Sequence, residues 1–194
     1  LAKKGIKPVI LEKETVPGKH ATSQNAALFS SLDPDPLIFE LSEKSYIFLQ
    51  KEHLITQTGA FFLGDSGDAQ SDFHLYWNHD LLKAIAQKLT KKNATLCYSL
   101  LEHWNFSDAL YCEKFGVIDT HGQLMWLLKN AQRFGAEIHY QQEVQSIDSE
   151  NRTIRGVITK DTYFETSLVI NASGAWAGQV GRIDVIPYKR HIFI

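Results

Sequence analysis

The sequence predicts an α/β fold. Val9-Ile10-Leu11 and Leu168-Val169-Ile170 are short, wholly apolar runs of the kind that form strands buried in a parallel sheet. Between them, Leu124, Leu127, Leu128 and Ala131 recur at i, i+3, i+4 and i+7, and Phe134 extends the same helix face. Helical and strand periods alternating in one chain, with two buried strands, are the pattern of a mixed α/β architecture.

Taken in order, Leu1 to Gly5 reads as the last turn of a helix with Gly5 as its cap. Val9 to Leu11 is the first strand and closes on a charge, Glu12. Pro17-Gly18 turns the chain, and His20 to Ala27 is small and polar, a loop or a short helix start. Pro34 to Lys51 carries apolar residues at helical spacing, from Leu37 and Leu41 to Phe48. Ala60 to Leu63 is a strand, and Gly64 to Asp72 has the Asp, Gly and Ser of a turn. Leu81 to Leu89 reads as a helix, capped by Asn78 or Asp80. Leu110 to Val117 reads as one strand leading through Gly116. Asp119 or Thr120 caps the helix through Phe134, and Gly135 ends it. Glu137–Tyr140 and Glu143–Asp148 are strands, and Arg152–Thr159 with Asp161–Phe164 is a hairpin. No internal repeat is visible.

Composition excludes several classes. Twenty basic against 22 acidic residues give a net charge of −2, so no cationic excess is available to hold a nucleic-acid backbone. No apolar run approaches the about 20 residues a membrane-spanning helix needs. Cys97 and Cys112 form no CxxC and are neither a disulfide framework nor a zinc site. The histidines make no HxxxH or HExxH pattern, so no metal site is expected. The start lacks an initiator Met and the end stops within a strand-like run, which reads as an internal fragment of a longer protein. A cytoplasmic location is the default expectation.

Four segments are candidates for chemistry. Glu12 follows an apolar strand, where a carboxylate accepts twice from the diol of an adenosine ribose; the alternative, read locally, is a solvated charge. Asn171 to Trp176 follows Leu168–Ile170, and Ala172-Ser173-Gly174 leaves the backbone bare to a ligand, or simply makes a tight strand-to-helix turn. Gly18 to Ala27 combines small residues with hydroxyl and amide donors, or caps a helix. Lys189-Arg190-His191 places cations in an apolar run. Arg190 there suits a substrate carboxylate, or faces water at a sheet edge.

Together and in order, these segments resemble the FAD-dependent amino-acid and amine oxidoreductases, the family of D-amino acid oxidase, glycine oxidase and sarcosine oxidase, and most of all its D-arginine dehydrogenase-like members. The matching segments are Leu1–Gly5 with Val9–Lys13, Pro17–Ala27, Gly116–Asp119, Gly135–Ile138, Val144–Ile147, Val169–Ala177 and Pro187–His191.

The resemblance implies an FAD-binding Rossmann-like domain whose glycine-loop strand precedes Leu1, interrupted by an antiparallel-sheet substrate domain. The first would comprise 1–30 and 115–182, the second 31–114 and 183–194. FAD is the implied cofactor. Glu12 would bind the ribose and Lys13 would sit by the adenine. Ala21, Thr22, Ser23, Gln24, Asn25 and Ala26 would run along the pyrophosphate and the flavin. Val144 would touch adenine through its backbone, and Ala172, Ser173, Gly174 and Trp176 would lie near the cofactor's centre. Arg190, with His191, would hold the substrate.

No residue is assigned as an acid or base, because hydride transfer from the substrate α-carbon to flavin N5 is the implied reaction and the protein mainly orients. The substrate class is an amino acid or amine, oxidised at its C–N bond, with an electron acceptor the sequence does not specify. A 2-hydroxy acid or glycerol 3-phosphate is the alternative substrate. A non-catalytic flavin-binding or interaction module is the third reading, supported by Leu28 where D-arginine dehydrogenase-like members have His and by Ser23-Gln24 in place of Gly-Arg. The 194-residue chain alone is expected to be inactive.

Overall fold

The computed structural model describes residues 1–181 and 183–188. It is a mixed α/β structure with two compact units, Leu1–Asn25 with Leu124 onward, and Ala26–Gln123.

In the first unit, β1 (Val9–Leu11) pairs in parallel with β8 (Glu137–His139), Val9 opposite Glu137 and Leu11 opposite His139. Before β1, a single turn at Ala2–Lys4 ends on Gly5, whose φ of 82° lets its N–H reach the Ala2 carbonyl. A second sheet is antiparallel, in the order β11 (Tyr163–Glu165), β10 (Thr153–Thr159), β9 (Val144–Glu150). Helix α4 (Thr120–Arg133), which belongs to this unit from Leu124 onward, is capped by Asp119, whose carboxylate accepts the Gly122 N–H at 2.7 Å. Gly135, at φ 88°, ends the turn after it and feeds β8. A short turn at Gly174–Trp176 runs into α5 (Ala177–Gly181), which packs on β9.

The second unit holds two antiparallel sheets. One has the order β2 (Leu28–Ser30), β7 (Phe115–Ile118), β3 (Ile55–Gln57), and the other β4 (Ala60–Gly64), β6 (Asp108–Cys112), β5 (Ala86–Thr90). Helix α1 (Pro36–Lys51) starts where Asp35 accepts the Leu37 and Ile38 N–H groups, with Pro36 at the position that needs no donor. Ser71 caps α2 (Asp72–Asn78) and Thr90 caps α3 (Lys91–Cys97) in the same way. The core lies largely here. Leu82, Leu110 and Cys112 pack with Leu32 and Ala86, and Ala94, Ala109 and Phe106 with Leu89 and Leu101. In the first unit the buried apolar side chains, among the described residues, are Ala136 and Val157.

Three expectations are corrected. Leu81 to Leu89 is not a helix: only Leu82–Ala84 makes a helical turn, and Ala86–Thr90 is strand β5. Strand β6 is central and buried, and its second edge needs partners for its N–H and C=O groups; β5 supplies them from Ala86 opposite Cys112 to Thr90 opposite Asp108. Leu110 to Val117 is two strands, because the polar pair Glu113-Lys114 breaks the run. Lys114 reaches Glu43 at 2.6 Å while the chain passes from one sheet to the next. Leu168 to Ile170 is not a buried strand. No ladder reaches it among the described residues, and Leu168 and Ile170 are 67% and 63% exposed. The burial expected of Val9–Leu11 is corrected as well: β1, paired on one edge only among the described residues, leaves Val9 47% and Ile10 36% exposed.

Candidate functional site

The end of β1 is the first part of the site. The Glu12 N–H donates to the His139 carbonyl, continuing the pairing of β1 with β8. The Glu12 carbonyl accepts the Gln142 N–H at 2.9 Å, which ties it to the chain entering β9 at Val144. Its carboxylate Oε1 accepts the Glu14 N–H at 2.9 Å. Glu12 is half-buried, so the carboxylate has both a fixed orientation and access to a ligand.

The second part is the loop after the Pro17-Gly18 turn. Gly18 has φ 74°, and a Cβ there would stand 2.5 Å from Leu124 Cδ2, so the turn lies close on α4. The His20 carbonyl accepts the N–H groups of Ser23 and Gln24 and the Ser23 hydroxyl. The Asn25 amide donates to the Ala21 and Thr22 carbonyls at 2.9 and 2.7 Å. Residues Ala21 to Ala26 are all exposed. The loop is therefore shaped by its own polar groups and not by apolar burial.

The third part is the turn ahead of α5. The Asn171 carboxamide oxygen accepts the Ser173 hydroxyl at 2.6 Å and its N–H at 3.2 Å, while its NH2 donates to the Ala177 carbonyl at 3.0 Å. Gly174 is at φ 55°, with no atom within 4 Å of where a Cβ would lie. Ala172, Gly174 and Ala175 are exposed, and Trp176 is half-buried.

All three parts meet at Trp176. The Lys13 ammonium lies 3.5 Å from the ring centroid, a cation–π contact, and the His20 ring lies 4.7 Å from it, tilted by 52°. Glu14 joins the same cluster. Its carboxylate takes Lys19 Nζ at 3.0 Å and His20 Nε2 at 2.8 Å, and these hydrogen bonds hold its pKa below the usual carboxylate range. Glu14 escaped the sequence reading. Its signal was an acid followed, across a Pro-Gly turn, by Lys and His five and six residues on.

The structure thus brings Lys13, next to Glu12, and His20, at the head of the Ala21–Asn25 loop, to Trp176, which follows the Ala172–Gly174 turn; Val144 lies two residues beyond the Gln142 that binds Glu12, and Ala26 belongs to the second unit. Arg190 and His191 lie outside the described residues. Among the described residues, no group of three His, Cys, Asp or Glu side chains is placed to hold a metal ion. Among the described residues, no helix is long and apolar enough to cross a membrane. An open hollow of about 400 Å³ on α3, lined by Lys91, Lys92 and Glu102, involves none of the candidate residues.

The fold is that of a family of flavin-dependent oxidoreductases. The model of the DAO family, FAD dependent oxidoreductase, matches residues 1–194, and the chain belongs to that family. It is similar to the L-proline dehydrogenase of P. horikoshii, at 21% identity and a TM-score of 0.78 over 93% of this chain and 50% of that one. It is similar to the glycine oxidase of Geobacillus kaustophilus, at 21% identity and a TM-score of 0.75 over 94% of this chain and 52% of that one. At these identities the likeness is one of fold. A curated relative, the glycerol 3-phosphate dehydrogenase of Caloramator mitchellensis, is 22% identical over 209 residues, covering 100% of this chain and 43% of the relative. The chain spans about half the length of the relatives it matches.

The family's cofactor is FAD, and the residues present fit it. A nucleotide needs a fixed carboxylate for its ribose and bare backbone beside its pyrophosphate. Glu12 offers the first, and the open side of Gly174 together with the exposed 21–26 loop offers the second.

Proposed function

We propose that the complete protein is an FAD-dependent oxidoreductase that oxidises the C–N bond of an amino acid or amine to an imine, which water then hydrolyses. Bound FAD supplies the acceptor for the hydride leaving the substrate α-carbon. In this proposal residues 1–30 and 115–182 belong to the cofactor domain, and 31–114 and 183–194 to the substrate domain. Glu12 holds the adenosine ribose, Lys13 borders the adenine, and Val144 meets it through its backbone. The Ala21–Ala26 loop and Ala172, Ser173, Gly174 and Trp176 line the pyrophosphate and the flavin. Arg190, with His191, pairs with the substrate carboxylate.

The observation that carries this reading is the convergence of two neighbouring segments, at 12–14 and 18–25, and a third far along the chain, at 171–176, on the single Trp176 ring. The test is flavin content of the purified complete protein by visible absorbance, followed by anaerobic reduction with a panel of amino acids and amines. A colourless protein, or a flavin that no member of the panel bleaches, overturns the proposal. Glu12→Ala is expected to weaken FAD binding by about tenfold or more, the value of a hydrogen bond to a charged group.

A second reading keeps the cofactor and changes the substrate. The match to a glycerol 3-phosphate dehydrogenase favours it, and Arg190 suits a phosphate as well as a carboxylate. Bleaching by glycerol 3-phosphate or a 2-hydroxy acid, and not by amines, would select it.

A further inference from the structure

We propose that Glu14 is a positioning residue that sets the 19–25 loop against the Trp176 turn and so shapes the cradle for the cofactor. This rests on the cofactor reading above and assigns a role to a residue that binds nothing itself.

The Glu14 backbone is fixed at both ends. Its N–H donates to the Glu12 carboxylate, and its carbonyl accepts the Gln141 N–H at 3.1 Å. Glu14 therefore has a defined place at the end of β1, beside the ribose candidate. From there its side chain spans to the loop. Both oxygens are engaged, one by Lys19 and the other by His20. The Glu14 side chain is 21% exposed, against 53% for Lys19 and 40% for His20, so the acid is the sheltered member of the cluster.

His20 transmits the constraint in two directions. Its ring packs on Trp176, and its carbonyl organises the turn by accepting from Ser23 and Gln24. An isolated exposed pair such as Glu14–Lys19 contributes little by itself. A carboxylate shared between two partners, one of which also stacks on a ring and anchors a turn, acts as a unit. Since Ala21 to Ala26 are exposed, polar contacts of this kind hold the loop in place.

The test compares Glu14→Gln, His20→Asn and Lys19→Met in the complete protein. Each is checked for folding by circular dichroism and thermal unfolding. Hydrogen exchange over residues 20–26 is measured without flavin, and FAD affinity is measured separately by fluorescence titration. Glu14→Gln and His20→Asn should each raise exchange at Ser23 and Gln24 several-fold, the pair together adding little more. Lys19→Met should change it least. Glu14→Gln should also weaken FAD binding by about tenfold, as for a lost charged hydrogen bond, and Glu14→Asp should restore part of both effects. Unchanged exchange in Glu14→Gln overturns the proposal, as does raised exchange with unchanged FAD affinity. A wild-type protein that binds no FAD overturns the cofactor reading instead, and the exchange data then decide the loop clamp alone. If Glu14→Gln does not fold, His20→Asn and Glu14→Asp carry the same comparison.

Discussion

Lys13 Nζ lies 3.5 Å from the centroid of the Trp176 ring, and His20 meets the same ring from across the Pro17-Gly18 turn. A residue next to the first strand and one 163 positions later are thereby joined by a contact that neither secondary structure nor backbone pairing requires. Lys13 is half-buried, and a cation–π pair between the exposed and desolvated limits is worth about 0.5–2 kcal/mol. Lys13→Met and Trp176→Leu should each lower stability, and the double variant should lose less than the sum by about that amount. Denaturant unfolding of the four proteins measures the coupling. Additive losses would mean the contact is incidental.

Gly116 sits in the central strand β7, opposite Phe29 of β2 on one side and Gln57 of β3 on the other. A Cβ there would lie 2.5 Å from the Thr56 carbonyl oxygen and 2.9 Å from Ile55 Cγ1. The first neighbour is backbone held in the ladder and cannot swing aside. Gly116→Ala should cost about 1–3 kcal/mol, the usual penalty of overpacking. Its denaturant midpoint should fall without a change in slope. An unchanged midpoint would show that β3 separates from β7 at no cost.

The two cysteines differ in reach. Cys112 is wholly buried in the core of the second unit, and burial pushes its thiol pKa up, while Cys97 is exposed at the end of α3. Since the thiolate is the reactive species, a thiol reagent under native conditions should modify Cys97 quickly. Cys112 should react only on unfolding. Counting modified thiols by mass, with and without denaturant, checks this. Rapid double modification of the native protein would place Cys112 at a surface.

Much of the candidate site was legible because its signals are local. Glu12 closes an apolar strand, Pro17-Gly18 marks a turn, and Ala172-Ser173-Gly174 marks bare backbone; each can be read within ten residues. The helix cap at Asp119 is local in the same sense. What failed depends on partners distant in sequence. Ala86 to Thr90 has a helical pattern of its own, and only the open edge of β6 makes it a strand. The apolar run at Leu168 promises burial that no pairing among the described residues supplies. Glu14 was missed because its meaning lies in where Lys19 and His20 return after the turn.

Asp108 offers a pH test of how the second unit is held. It starts β6, and its Oδ2 accepts the Ser66 hydroxyl at 2.7 Å, the Ser107 hydroxyl at 2.9 Å and the Ser66 N–H at 3.3 Å. Burial alone raises its pKa, but the Ser66 and Ser107 hydrogen bonds outweigh it and leave the carboxyl below the usual aspartate range. Because the folded value is depressed, the contribution is fully present above the unfolded aspartate value and is lost as pH falls through the folded one. Asp108→Asn should therefore be less stable than the wild type at neutral pH, with the gap narrowing as the solution is acidified below that range. Thermal unfolding of both proteins from neutral to acid pH measures it. The Ser66→Ala variant should reproduce part of the loss, since it removes the shortest of the three hydrogen bonds. A gap that stays constant with pH would mean that the charge contributes nothing and that Asp108 serves only as a neutral acceptor for the 65–71 turn.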